Sequence, residues 1–243
     1  MLNKCTVEKL NQLSTAYENV VKVMEHDAAR AMEEDSRAYG GFIRATKGKM
    51  QEFLTQGLIE AAWILELGQN PRRLVINKQK IRIPIRMEYV RSLEDESLRE
   101  YVLANVRKYY YGLSVDKHVF IDGDMIMGIE CKAYTENAMI KRILVDFQLL
   151  LTKVPNLICY LFQLESQLGG DYSSCIKAPL GSCPTHTLMS YFDDVNLHVV
   201  TLLPEDRKVN RPINKPEHFK PLPLDRLEVA VELLVGSFKA FAK

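Results

Sequence analysis

The chain has 243 residues, 47% hydrophobic and 26% charged, with 32 Lys plus Arg against 31 Asp plus Glu and a formal net charge of +1. That length can bury a sizeable core, and so even a charge balance excludes a histone-like binder working through one global positive field, though not a cleft lined locally with Lys and Arg. No apolar run reaches the roughly 18 residues needed to span a bilayer, and the polar start MLNKCTVEKLNQLSTAYENV has no apolar signal segment, so secretion is not expected.

Residues 5–37 read as a long helix, because Leu10, Leu13, Tyr17, Val20, Val21 and Met24 recur at three- and four-residue steps. Gly40-Gly41 is predicted to break it, with a second helix from Ile43 to Leu67 stopped by Gly68 and Pro71. "RRLVINKQKIRIPI" (72–85) reads as a hairpin that pairs Leu74-Val75-Ile76 with Ile81, Ile83 and Ile85. Ser92 begins a third helix, with Asp95 at the capping-box position, running to Tyr110 and closed by Gly112. Tyr109, Tyr110 and Tyr111 are expected to pack at its end.

Strands near 117–122 and 125–133 follow, joined at Asp122-Gly123-Asp124, a strong tight-turn signal. Thr135 can cap a helix over 136–152. "NLICYLFQLE" (156–165) reads as a buried strand, and 166–185 as a long loop of the kind that is usually functional or disordered. A short helix near 186–192, a strand "NLHVVTLL" (196–203), a proline-punctuated connection and a helix over 224–242 complete the pattern. The fold class is α/β, a mixed central β-sheet flanked by helices, in one domain over 1–243. Its N-terminal helices (about 5–67) pack on the rest. The long first helix has no obvious second partner within the chain, which makes it a candidate dimer element. Five scattered cysteines without a CxxC suit a reducing compartment. Cys175, Cys183 and His186 match no usual zinc spacing.

The stretch "FIDGDMIMGIECKAYTE" (120–136) carries the chemistry. Strand side chains alternate with period 2, so Glu130 and Lys132 point one way while Ile129, Cys131 and Ala133 point the other. A hairpin folds the start of its first strand against the end of its second, which brings Asp116 beside Glu130 and Lys132. Two converging carboxylates make a site for a hard divalent cation such as Mg²⁺. Lys132 beside it can orient a water or stabilise charge developing at a phosphate. A hard cation, a cationic neighbour and an anionic substrate together describe phosphodiester hydrolysis. The bland alternative is a structural ion pair.

Asp116 with Glu130-Cys131-Lys132 resembles the PD-(D/E)xK signature of type II restriction endonucleases and related nucleases. The resemblance covers roughly residues 45–205. It implies an α-β-β-β-α-β core with the active site on the hairpin, Mg²⁺ as cofactor, and Asp116, Glu130 and Lys132 as catalytic residues, the two carboxylates holding the metal. Many such nucleases add an acid from an N-terminal helix; Glu52 in "RATKGKMQEFLTQGLIEAAW" matches that position. Val115 replaces the usual proline. Asp122 and Asp124 compete with Asp116 as the first acid, but both lie at the turn. The resemblance also implies double-stranded DNA as substrate, a homodimer, and the cytoplasm of a bacterial or archaeal cell.

Four segments are candidates for touching DNA, each with an ordinary solvated surface as its alternative. They are "RATKGK" with Arg44, Lys47 and Lys49; "NAMIKR" with Asn137, Lys141 and Arg142; the 166–179 loop with Lys177; and "DRKVNRPINK" with Arg207, Lys208, Asn210 and Arg211. Arg reads guanine and Asn reads adenine in the major groove. His118 lies near Asp116; the other histidines read as packing or surface residues. The rival readings are a structure-selective repair or recombination nuclease, which would cut branched DNA, and a non-catalytic DNA-binding protein, which would bind without Mg²⁺ and never nick.

Overall fold

The computed structural model describes residues 2–34, 36–169, 172 and 182–243, leaving out the side chains of residues 25 and 28–40. Helix α1 (Lys4–Glu34) turns its predicted stripe inward: Leu10, Leu13, Tyr17, Val21 and Met24 are buried. Helix α2 (Ser36–Glu60) runs straight through Gly40-Gly41, so the predicted break is misplaced. A glycine costs a helix interior about 1 kcal/mol relative to alanine. The buried stripe of Met50, Leu54, Leu58 and Ile59 further along α2 outweighs that. A π-helical turn, Ala61–Glu66, continues the helix and buries Trp63, whose indole N–H donates to the Asn70 carbonyl at 3.2 Å.

The predicted 72–85 hairpin does not form. Strand β1 (Leu74–Asn77) is the edge of the main sheet, whereas β2 (Ile81–Pro84) pairs antiparallel with β3 (Tyr110–Leu113) in a separate two-stranded ribbon. Leu74 and Ile76 pack into one apolar core and Ile81 and Ile83 into another, on opposite faces of the sheet. A single flat hairpin could not serve both. Between β2 and β3 lie α3 (Met87–Ser92) and α4 (Glu96–Ala104) in place of the one predicted helix. Asp95 is itself the N-cap of α4, accepting from the Leu98 amide at 2.8 Å. Tyr110 and Tyr111 stand exposed on β3 rather than packed at a helix end.

The hairpin of β4 (Lys117–Ile121) and β5 (Asp124–Thr135) forms as read, with Asp122 at φ 53° and Gly123 at φ 94° in its turn. Helix α5 (Asn137–Leu151) follows; its N-cap position falls on Glu136, because Thr135 is the last residue of β5. Strand β6 (Ile158–Ser166), helix α6 (Cys183–Met189), strand β7 (Leu197–Thr201) and helix α7 (Leu224–Phe238) complete the chain. The sheet order is β1-β4-β5-β6-β7, antiparallel up to β5 and parallel from β5 to β7. The fold is a mixed central sheet flanked by helices, and α2, β1, β4, β5, α5 and β6 follow the α-β-β-β-α-β order of a restriction-endonuclease-like core.

One face of the sheet packs on α1, α2 and α7, and the other on α5 and the β2–β3 ribbon. Tyr17 ties α1 further to the C-terminal region, donating to the Lys220 carbonyl at 2.8 Å. The apolar stripe of α1 is therefore used within the chain, against the reading that it lacked a second partner. Gly128 lets β5 approach α5 closely: a Cβ there would sit 3.0 Å from the Phe147 ring. No helix among the described residues is long and apolar enough to cross a membrane.

Candidate active site

Alternation along β5 sorts its side chains as expected. Ile129 and Cys131 enter the core beneath α1 and α2, and Glu130 and Lys132 face α5. The Cys131 thiol contacts the Thr55 hydroxyl at 3.5 Å, and burial pushes it up to about 12, so it is not a reactive thiol. Asp116 stands just before β4, and antiparallel pairing of Lys117 with Ile129 delivers it to the Glu130–Lys132 end of the hairpin. Asp122 lies at the opposite end, where both its oxygens accept from Arg73 at 2.8 and 2.9 Å. Asp124 is exposed beside it.

Asp116, Glu130 and Lys132 meet. The Lys132 ammonium donates to Glu130 and approaches Asp116 at 3.3 Å, so one cation touches both carboxylates. The Cys131 amide donates to the same Asp116 oxygen at 2.9 Å. These groups line a cleft of about 550 Å³. One wall is the end of β3, with Tyr111, Gly112 and Leu113, and the other is α5, with Met139, Arg142 and Asp146.

Burial pushes the Glu130 carboxyl up to about 7; Lys132 opposes this and Asp116 adds to it. Burial works the same way on Asp116, but the charge of Lys132, the Lys78 hydrogen bond and the Cys131 amide prevail and hold it down at about 2. For Lys132, burial opposes the charge, and Glu130 and Asp116 outweigh it. The two carboxyls are thus pushed in opposite directions, Asp116 down and Glu130 up, the pattern expected where two acids converge. The donor set fits a hard, oxygen-seeking divalent cation. Among the described residues no three acidic, histidine or cysteine side chains gather as a ready metal cluster.

Glu52 does not join the pair directly. It lies on α2 and reaches the site through Lys78, whose ammonium is 2.8 Å from Asp116 and 3.4 Å from Glu52. Lys117 approaches Glu52 at 3.8 Å. Sequence reading missed Lys78. It follows directly on β1, and only the β1–β4 pairing of Asn77 with His118 brings it beside Asp116. His118 is fully buried; its Nε2 accepts from the Val115 amide at 3.2 Å, bracing the turn that presents Asp116. Burial holds its imidazole below the usual range.

The candidate DNA contacts scatter. Arg44 and Lys49 are exposed and Lys47 half-buried within α2, not at a helix start. Asn137 accepts from the Thr185 hydroxyl at 2.7 Å, joining α5 to α6. Lys141 is exposed, and Arg142 lines the cleft 3.8 Å from Asp146. Arg207 stacks 3.7 Å over the ring of Tyr134, two residues beyond Lys132, and donates to Gln167 at 2.6 Å. Lys208, Asn210 and Arg211 are exposed. Lys177 and Cys175 lie outside the described residues.

No family model matches the chain. It is 60% identical over 236 residues, covering 97% of this chain and 98% of the other, to the type II restriction enzyme DdeI of Desulfomicrobium norvegicum.

Proposed function

The chain belongs to the type II restriction enzymes, which are sequence-specific DNA endonucleases, and from that premise we propose that it hydrolyses the DNA backbone with Mg²⁺ held by Asp116 and Glu130. The observation that carries this reading is the sharing of one ammonium, that of Lys132, between two carboxylates that line a cleft. We place the site in the PD-(D/E)xK group of nucleases on the same grounds. Bound there, Mg²⁺ would polarise the scissile phosphate and acidify a water, as hard divalent ions do in hydrolases.

The chain's own residues do the rest. Asp116, just before β4, and Glu130, on β5, would supply oxygen ligands, and the pairing of the two strands sets their separation. Lys132 lies where it can donate to a phosphate oxygen or to the attacking water as negative charge grows. Lys78 holds Asp116, and Glu52 on α2 holds Lys78 in turn. Lys208 and Arg211 in the 206–215 connection are exposed and would neutralise phosphates of double-stranded DNA. We propose a cytoplasmic homodimer, because a duplex has two strands to cut and two-fold symmetry presents one site to each. Light scattering should then give the mass of two chains, and the mass of one would remove that proposal.

Replacing Mg²⁺ by Ca²⁺ tests the metal directly. Ca²⁺ accepts oxygen ligands at longer distances and looser geometry. Specific DNA binding should persist in Ca²⁺ by gel shift while cleavage stops. Vigorous cutting in Ca²⁺ or in EDTA would sink the metal mechanism.

A further inference from the structure

The β2–β3 ribbon shares the cleft with the candidate catalytic residues. Tyr111, Gly112 and Leu113 of β3 line the space that Asp116, Glu130 and Lys132 open into, and only Ser114 and Val115 separate β3 from Asp116. Resting on the DNA-cleavage reading above, we propose that this ribbon is a DNA-reading element that enters the major groove beside the scissile phosphate, with Arg82 as its base-reading side chain.

The two faces of the ribbon are unlike. Register pairs Ile81 with Leu113 and Ile83 with Tyr111 on one face. Ile83 and Leu113 are buried there against Ile140, Ile143 and Phe147 of α5, which fixes the ribbon relative to the site. The other face carries Arg82 opposite Gly112 and Pro84 opposite Tyr110. Arg82, Pro84 and Tyr110 are all exposed. Lys80, just before β2, is exposed as well.

The Arg82 guanidinium lies over the Tyr110 ring at 4.2 Å, and no carboxylate among the described residues is paired with it. Stacking on an aromatic ring pre-orders a planar, forked donor, so less freedom is lost when it binds. Gly112 keeps the ribbon slim at the same level: a Cβ there would lie 3.4 Å from the Lys80 side chain, which runs along this face. A two-stranded ribbon is one of the two elements that fit the major groove, and a bidentate arginine on guanine is the commonest specific contact there. Lys80 and Arg82 favour a polyanion over a second apolar copy as the occupant. Arg82 lies on the ribbon face turned away from Tyr111 and Leu113, which line the cleft, so it would reach a groove beside the scissile phosphate rather than the phosphate itself.

The test uses the full-length protein and two duplexes of equal length, in Ca²⁺ so that nothing is cleaved. One carries a site mapped by sequencing the ends that the wild type produces from plasmid DNA; the other lacks it. Arg82→Ala should lose affinity for the site duplex by about ten- to a hundredfold, with only a small change on the other duplex. Arg82→Lys should not restore discrimination, because it keeps the charge and loses the fork. Arg82 is exposed, so both variants should melt with the wild type, and Arg82→Gln gives a neutral, longer control. Unchanged affinity for both duplexes would overturn the inference. An equal loss on both would overturn the base-reading role by making Arg82 a phosphate contact only. A change in solution mass would make the ribbon a self-association surface instead. Failure of the metal site would show separately, as normal cutting by the Asp116 and Glu130 variants.

Discussion

Asp116→Asn and Glu130→Gln should each reduce cleavage by about 10³-fold or more while the protein still folds and binds DNA. A divalent ion supplies several kcal/mol of transition-state stabilisation to phosphoryl chemistry, and about 1.4 kcal/mol corresponds to a factor of ten. Each substitution removes one ionisable oxygen donor from a pair that shares Lys132. The amide variants are chosen for their shape. In Asp116→Asn the side-chain carbonyl remains an acceptor for the Cys131 amide, now bound at 2.9 Å, so the strand ends stay joined. Single-turnover cleavage and thermal melting together check the expectation. Near-normal cutting by Asp116→Asn, with loss of cutting in Asp124→Ala, would make the wrong carboxylate the first acid. The placement of Asp124 at the far turn, paired in register with Ile121, argues against that outcome.

Lys132→Ala should lose about 10²–10³ in cleavage rate at saturating enzyme, with little change in DNA affinity. The reason is where its charge acts. Lys132 is fixed on the sheet between two acids, two-thirds covered, and on the proposed mechanism it would face charge that grows only in the transition state. Groups of that kind appear in turnover rather than in ground-state binding. Lys208→Ala and Arg211→Ala should behave oppositely, because both side chains are exposed and would meet phosphates already charged in the ground state. Each should weaken binding and flatten its salt dependence by about one unit of slope per lost contact. Lys132→Ala cutting at the wild-type rate once saturated would reduce Lys132 to a structural partner of Glu130.

The hairpin that carries the site is legible because its signals are local. Asp122-Gly123 demands a tight turn, which brings Asp116 to the Glu130–Lys132 end of the hairpin, but the register shift between Val119 and Phe120 that sets Asp116 level with Glu130 has no local signal. Lys78 was not legible, because its place beside Asp116 depends on β1 pairing with a strand far along the chain. Leu74 to Ile76 and Ile81 to Ile83 alternate alike, and alternation alone does not name a partner. Only the division of the apolar residues between two cores separates β1 from β2. The same long-range pairing hid the ribbon, whose tyrosines read locally as the end of a helix. Gly40-Gly41 misled for the opposite reason: a strong local breaker was overridden by burial further along α2.

The central claim is that Asp116 and Glu130 share one divalent ion, and iron-directed backbone cleavage tests it most directly. Fe²⁺ bound in place of Mg²⁺, with ascorbate and peroxide, cuts the polypeptide close to its ligands, and mass spectrometry locates the breaks. The account predicts breaks near residues 116 and 130, suppressed by excess Mg²⁺ and absent from Glu130→Gln. Breaks clustered elsewhere, at Glu52 alone or at the Asp122–Asp124 turn, would contradict it.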